Sequence, residues 1–349
     1  MRIIIAGGAG FIGSHLCGFY CSQGAEVICL DNFITGRQKN IQHLRNKKKF
    51  TFQKVDVTKD LPKFKGKVDL LYHLASPASP VDYQRFPLET LKVGSVGTEN
   101  LLRLALEKKA VFVLASTSEI YGEPLVHPQR EDYWGNVNSV GPRSVYDESK
   151  RFAEAITTAY CRRESLKAGV ARIFNTYGPR LRLDDGRVVP NFICQAIKNE
   201  PVTVYGKGTQ TRSLCYVSDL VRGLVRLAEK VRPPTYTSPA AGGGSMKKGT
   251  FLVVNLGNPE EITVLNLAKR VISFCNSKSK IVFKPLPEDD PTRRCPDISR
   301  AKKLLGWEPE IRMEEGLKKT IFWFPISEVV NIFHFSNPDS FFGHIKTSF

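Results

Sequence analysis

The chain has 349 residues, enough for one large domain or two smaller ones, and is 42% hydrophobic and 24% charged, the make-up of an ordinary globular protein. No run of about eighteen apolar residues occurs, which excludes a simple membrane-spanning helix. The formal charge of +17 favours anionic partners: nucleic acid, membrane surfaces or phosphorylated metabolites.

Residues 2–6 are a short apolar run, followed by Gly7-Gly8-Ala9-Gly10-Phe11-Ile12-Gly13 and a helical pattern over 11–22. The first strand starts at the second residue, leaving no room for a signal peptide, so a cytoplasmic location is expected. Further strand-like runs fall at 27–30, 50–55, 68–72, 110–114 and 169–173, with helical stretches at 89–107 and 146–164. Strands alternating with helices predict an α/β architecture, a parallel sheet with helices on both faces. After Asn175 the strands shorten and Pro/Gly signals crowd in, which predicts a smaller α+β lobe over 176–324. Residues 232–250 read as a loop. The phenylalanine-rich stretch 325–349 is an atypical tail, too polar to span a membrane.

The basic residues are spread along the chain. The densest cluster, Arg45 to Lys49, has few aromatics and no nucleic-acid motif around it, so neither nucleic acid nor membrane is expected as a partner. Of the eight cysteines, Cys17 and Cys21 are four apart in a predicted helix and resemble half a metal site. No second Cys/His pair follows with ligand spacing, so free thiols and no metal are expected.

Gly7, Gly10 and Gly13 give G-x-x-G-x-x-G between a strand and a helix. Such a turn lets the backbone approach a pyrophosphate, with the helix N-terminus supplying N–H donors. Asp31 follows the second strand, 18 residues beyond Gly13, where a carboxylate holds adenosine ribose hydroxyls and repels a 2′-phosphate. NAD is therefore favoured over NADP, with Arg37 nearby as the counter-indication. The fold expected is a doubly wound parallel sheet of the Rossmann type over 1–175, with some later segments returning to it.

Tyr146 and Lys150 lie four apart on one helix face. A neighbouring ammonium favours the phenolate, and a phenolate can take a proton from a sugar hydroxyl. Alone, this spacing means little. Here it follows Ser116-Thr117-Ser118-Glu119 at the C-terminal end of a strand, where ligands bind in such sheets.

Together these residues resemble the UDP-glucuronate decarboxylase family of the extended short-chain dehydrogenase/reductase superfamily, from Met1 to about Phe324. Further marks are Asp31-Asn32-Phe33, His73 to Pro80, Glu131 to Gly135, Ala171 to Pro179, Asp185 to Val189, Gln210-Thr211-Arg212 and Asp289-Asp290-Pro291 through Arg294. The resemblance implies oxidation at C4 of UDP-glucuronate, loss of carbon dioxide from the 4-ketone, and reduction to UDP-xylose with NAD recycled. It implies Tyr146 as base, Lys150 lowering its pKa, Thr117 at the O4 region, and Ser118 and Glu119 beside the sugar carboxylate and C5. Arg294 is the implied carboxylate partner. NAD would be held by Gly7, Gly10, Phe11, Ile12, Gly13, Asp31, Asn32, Phe33, Gly36, Asp56, Val57, Leu74, Ala75, Ser76, Tyr146, Lys150 and Thr176. The nucleotide-sugar would be gripped by Lys92, Asn175, Arg187, Asn191, Tyr205, Gln210, Arg212 and Arg294. A homodimer through the helices near 89–107 and 146–164 is implied as well.

Close relatives differ at Thr117-Ser118-Glu119. The 4,6-dehydratases carry an aspartate at the Ser118 position, the acid that expels water. The 4-epimerases usually lack the glutamate. A UDP-glucuronate 4-epimerase and a catalytically silent NAD-binding protein are the competing readings. The chain departs from the family at Cys295, where lysine is usual, at Val93, where threonine is common, and in its longer 232–250 loop.

Overall fold

A computed structural model describes residues 1–232, 251–286 and 293–324. Residues 233–250 of the expected loop, the 325–349 tail and Asp289 to Pro291 lie outside them. The centre is a seven-stranded parallel sheet. Its first six strands in chain order are β1 (Arg2–Ala6), β2 (Glu26–Asp31), β3 (Phe50–Lys54), β4 (Leu70–His73), β5 (Val111–Thr117) and β6 (Ala168–Ile173). In space the order is β6-β5-β4-β1-β2-β3, and the strand Phe251–Leu256 pairs on the outer side of β6, with Phe251 opposite Ala168. Helices cover both faces, so the strands are apolar without alternation: Ile3, Ile4 and Ile5 are all fully buried, as is every residue of β5.

The order in which strands are added reverses between β1 and β4, and the crevice beyond their carboxyl ends is where such sheets take ligands. The turns after β1, β4 and β5 all open there.

The residues after 176 divide between two places. The strand Phe251–Leu256 and the amphipathic helix Val217–Val231 join the sheet layer. The rest builds a smaller body: a parallel pair (Val202–Tyr205 with Ile281–Lys284), an antiparallel pair (Thr211–Ser213 with Glu261–Thr263), and the mutually packed helices Val188–Ile197 and Val264–Phe274. Among the described residues, no helix is long and apolar enough to cross a membrane.

The stretch 89–107 is not one regular helix. A helix Pro87–Lys92 widens into a π-turn over Val93–Gly97 before continuing as Thr98–Lys108. The neighbouring helix Ser144–Glu164 packs against this turn. A side chain on Gly94 would come within 2.6 Å of Ser149 Cβ, so the backbones approach closely there. Thr98 Oγ1 donates to the Gly94 carbonyl at 2.8 Å, taking up part of the loosened ladder.

Candidate active site

The glycine turn is built by steric necessity. Gly7 has φ of 77°, and a Cβ there would lie 2.6 Å from Ala75 N. A Cβ on Gly13 would lie 2.1 Å from the Gly7 carbonyl oxygen, because the helix Phe11–Ser22 packs directly against the turn. Asp31 clamps the same turn: its carboxylate accepts from Ala9 N at 3.0 Å and Phe33 N at 2.8 Å. Burial raises the Asp31 carboxyl, and those two N–H groups oppose the rise. Gly36 leaves room for it, since a Cβ there would sit 2.6 Å from Asp31 Oδ1.

Beside this turn lies a cavity of about 280 Å³, walled by Gly7, Gly10, Asp31, Asn32, Gly36, Asp56, Val57, Leu74, Ala75 and Ser76. A second, of about 580 Å³, continues from Gly7, Gly10, Phe11, Ile12 and Gly13 across the sheet edge. Its wall includes Thr117, Ser118, Glu119, Tyr146, Lys150, Asn175, Thr176, Arg187, Asn191, Tyr205, Gln210, Arg212 and Arg294. Residues spread over nearly the whole chain thus meet in one place.

Two expected positions fall elsewhere. Phe33 lines neither cavity: its ring stacks on Phe52 with centroids 4.9 Å apart, and only its backbone N–H serves the turn, through Asp31. Lys92 closes the helix Pro87–Lys92 and lines the smaller cavity with Asp31 and Asp56, not the larger one with the expected substrate residues.

At the end of β5, Thr117 Oγ1 accepts from Glu119 N at 3.2 Å, capping the short turn that aims Ser118 and Glu119 into the larger cavity. Glu119 is held from both sides. One carboxylate oxygen bonds Arg294, and the other accepts from Arg143 at 3.1 Å. Burial alone would push this carboxyl up; Arg294 and then Arg143 outweigh it and hold the group below its ordinary value. Arg294 is itself buried, 3% exposed, and among the described residues its Nε has no hydrogen-bond partner. Arg187 is paired with Asp185, its Nη2 donating at 2.8 Å. Gln210 Nε2 donates to the Tyr205 carbonyl at 2.8 Å, and Asn191 Nδ2 to that of Gly186 at 3.0 Å.

Burial raises the Tyr146 phenol above its ordinary value, opposed by a hydrogen bond to Thr117. Lys150 Nζ lies 5.8 Å from the centre of the Tyr146 ring and donates to the Ala115 carbonyl at 2.9 Å. Burial brings the Lys150 ammonium down to about 8, while Glu154 pulls it up. In the protein alone, desolvation therefore outweighs the Thr117 hydrogen bond and the Arg187 charge at Tyr146.

Four further residues belong to this site, and no spacing rule singles them out. Tyr83 stacks on Tyr146 (5.2 Å between centroids), and its buried hydroxyl has no protein partner. Arg143 is the second cation on Glu119. Behind Lys150, Glu154 is bound at both oxygens by Arg172, at 3.0 and 2.9 Å, and accepts from Ser116 at 2.5 Å.

Fold and site define an NAD-dependent enzyme of the doubly wound type. The chain belongs to the NAD dependent epimerase/dehydratase family, whose model matches residues 3–237, and within it to the UDP-glucuronic acid decarboxylases. It is 51% identical to UDP-glucuronic acid decarboxylase 1 of Danio rerio over 93% of this chain and 72% of that one. Identity to UDP-glucuronic acid decarboxylase 4 of Arabidopsis thaliana is 50%, over 91% of this chain and 67% of the other. Among solved structures, a UDP-glucuronic acid 4-epimerase from Bacillus cereus superposes with a TM-score of 0.80 at only 27% identity, covering 94% of this chain and all of that one.

Proposed function

We propose that the chain converts UDP-glucuronate to UDP-xylose and carbon dioxide through a 4-keto sugar, with NAD recycled. One observation carries this reading. A single cavity joins Tyr146, Thr117 and Lys150 to a carboxylate, Glu119, kept ionised by two guanidinium groups.

The glycine cradle fits NAD: with no Cβ at Gly7 and Gly13 the turn packs tightly on its neighbouring backbone, Gly7, Gly10 and Gly13 line the larger cavity at the helix start, and Asp31 faces the smaller one. Bound there, NAD⁺ would supply a hydride acceptor for C4, the same hydride going back to C4 after carbon dioxide is lost, and a positive ring that would favour the Tyr146 phenolate. Tyr146 takes the proton from O4, and Thr117 holds that oxygen in line. Once C4 is a ketone, the carboxylate is β to it. The C5–C6 bond breaks, carbon dioxide leaves, and its electron pair flows onto O4, where the Tyr146 hydroxyl donates. Glu119 orients the ring or a water that returns a proton to C5. Arg294 attracts the sugar carboxylate, with Ser118 alongside. Asn175, Arg187, Asn191, Tyr205, Gln210 and Arg212 hold the nucleotide diphosphate. Lys92 serves the cofactor side. Residues 1–175, completed by the helix Val217–Val231 and the strand Phe251–Leu256, form the NAD-binding layer. The remainder of 176–324 forms the nucleotide-sugar lobe.

A homodimer is part of the same reading. Leu88, Leu91 and Val96 on one helical stretch and Phe152 on the helix packed beside it are exposed apolar side chains, at 63, 38, 45 and 48%. Phe152→Asp is expected to shift sedimentation from dimer to monomer.

The test of function is incubation with UDP-glucuronate and NAD⁺, followed by NMR and mass analysis of the sugar. A UDP-pentose of xylose configuration without net NADH is expected. Unchanged mass with inverted C4 would make the chain an epimerase, and no reaction with NAD bound would make it a silent binder.

A further inference from the structure

Outside the cavity, three segments distant in sequence bring together an imidazole, a carboxylate and a thiol. One ligand atom each from His127, Glu261 and Cys295 lies within 4.8 Å of the other two. His127 Nε2 is 2.9 Å from Glu261 Oε2, and the Cys295 thiol donates to the Pro259 carbonyl at 3.3 Å. We propose that His127, Glu261 and Cys295 bind a zinc ion, with water at the fourth position.

The donor set argues for the metal. Magnesium and calcium take oxygen ligands, whereas a mixed nitrogen, oxygen and thiolate set suits zinc. A tetrahedral ion with bonds of about 2.0–2.3 Å holds its ligands somewhat closer than they now lie. Closing the gap falls to His127 and Glu261, whose side chains are 29 and 27% exposed. Cys295 is the fixed point, 3% exposed. Its thiol donates to the Pro259 carbonyl, so it carries its proton before binding. The ion would form the Zn–S bond as the S–H proton leaves to solvent.

The frame around the three ligands is already built. Gln129 Oε1 accepts from Cys295 N, and Gln129 N donates to Cys295 O, each at 2.8 Å. This ties the His127 segment to the Cys295 segment. Glu261 pairs with Ser213 across the antiparallel strands and accepts from the Thr211 hydroxyl. The ion would thus join the segment bearing Arg294 to the strand bearing Arg212, both walls of the larger cavity.

The experiment uses the full chain stripped of metal with a chelator and titrated with cobalt(II) chloride, then zinc chloride. A thiolate-to-cobalt charge-transfer band in the near ultraviolet is expected, saturating at one equivalent and displaced by zinc. Cys295→Ser should lose the band. His127→Ala, at the surface, should weaken binding by about tenfold or more, the scale seen for loss of even an outer partner. No band in the natural protein, or the same band in Cys295→Ser, overturns the proposal. Should Cys295→Ser fail to fold, unchanged cobalt affinity in His127→Ala overturns it alone.

Discussion

The ring of Tyr83 lies flat against the ring of Tyr146, with planes 6° from parallel and centroids 5.2 Å apart. Both rings are buried, and Tyr83 is therefore the wall that sets where the Tyr146 hydroxyl points. Removing that wall differs from removing its hydroxyl. Tyr83→Ala is expected to cost about 3–5 kcal/mol in stability, the usual range for emptying an aromatic site. Turnover should fall by up to about a hundredfold, as the phenol is misplaced. Tyr83→Phe deletes only an unpartnered hydroxyl and should leave the melting temperature near that of the natural protein. Calorimetry and kcat decide: an alanine variant with full kcat would remove any positioning role.

Tyr146→Phe keeps the stacked ring and removes the proton acceptor. Turnover is expected to drop about 10²–10⁴-fold, the range for losing a general base. UDP-glucuronate binding, measured by calorimetric titration, should persist. Normal turnover would sink the assignment of the base.

Gly13→Ala places a Cβ 2.1 Å from the Gly7 carbonyl oxygen, a contact that neither backbone segment can relieve locally. The variant is expected to carry less NAD per chain when purified, measured as nucleotide released on denaturation. Full NAD content would show that the cradle tolerates the methyl group.

Arg294→Ala leaves Glu119 with Arg143 alone. Breaking a buried pair costs about 3–5 kcal/mol. The folded Glu119 carboxyl lies below its ordinary value, so its contribution to stability is present above the usual carboxylate range and is lost as pH falls through the depressed value. Without Arg294 that loss should begin at higher pH in thermal melts. The variant should also weaken UDP-glucuronate much more than UDP-glucose. Equal weakening would mean that Arg294 does not read the carboxylate.

Asp147 has the opposite sign. Burial first, and the Glu119 charge next, push its carboxyl far above the usual range, and its Oδ1 has no partner. The folded state therefore keeps a proton that the unfolded chain releases, and stability falls as pH rises from the ordinary carboxylate value toward the raised one. Asp147→Asn removes that dependence. Its melting temperature relative to the natural protein should climb steadily between about pH 4, near the unfolded value, and neutrality. A difference constant with pH would show that Asp147 is ionised in the folded protein.

The chain order of residues by itself determined what depends on short spacing. A glycine every third residue between strand and helix dictates the phosphate turn, because no Cβ fits at Gly7 or Gly13. A tyrosine and lysine four apart on a helix share a face, and Asp31 ends the second strand beside the turn. These are local constraints of backbone geometry, and the alternation of strands and helices follows from the same local periodicity.

The tertiary structure alone decided what depends on meeting across the chain. Arg294 reaches Glu119 from 175 residues away, and Arg143 closes the other side. The helix near 93–97 widens where Ser149 comes close, which no propensity within 89–107 records. Lys92 lines the smaller cavity with Asp31 and Asp56, a position that the packing of its helix sets. Cys295 lies beside His127 and Glu261, a juxtaposition that sequence spacing cannot reveal. The physical reason is common to all four: a side chain's charge and burial come from neighbours that folding supplies.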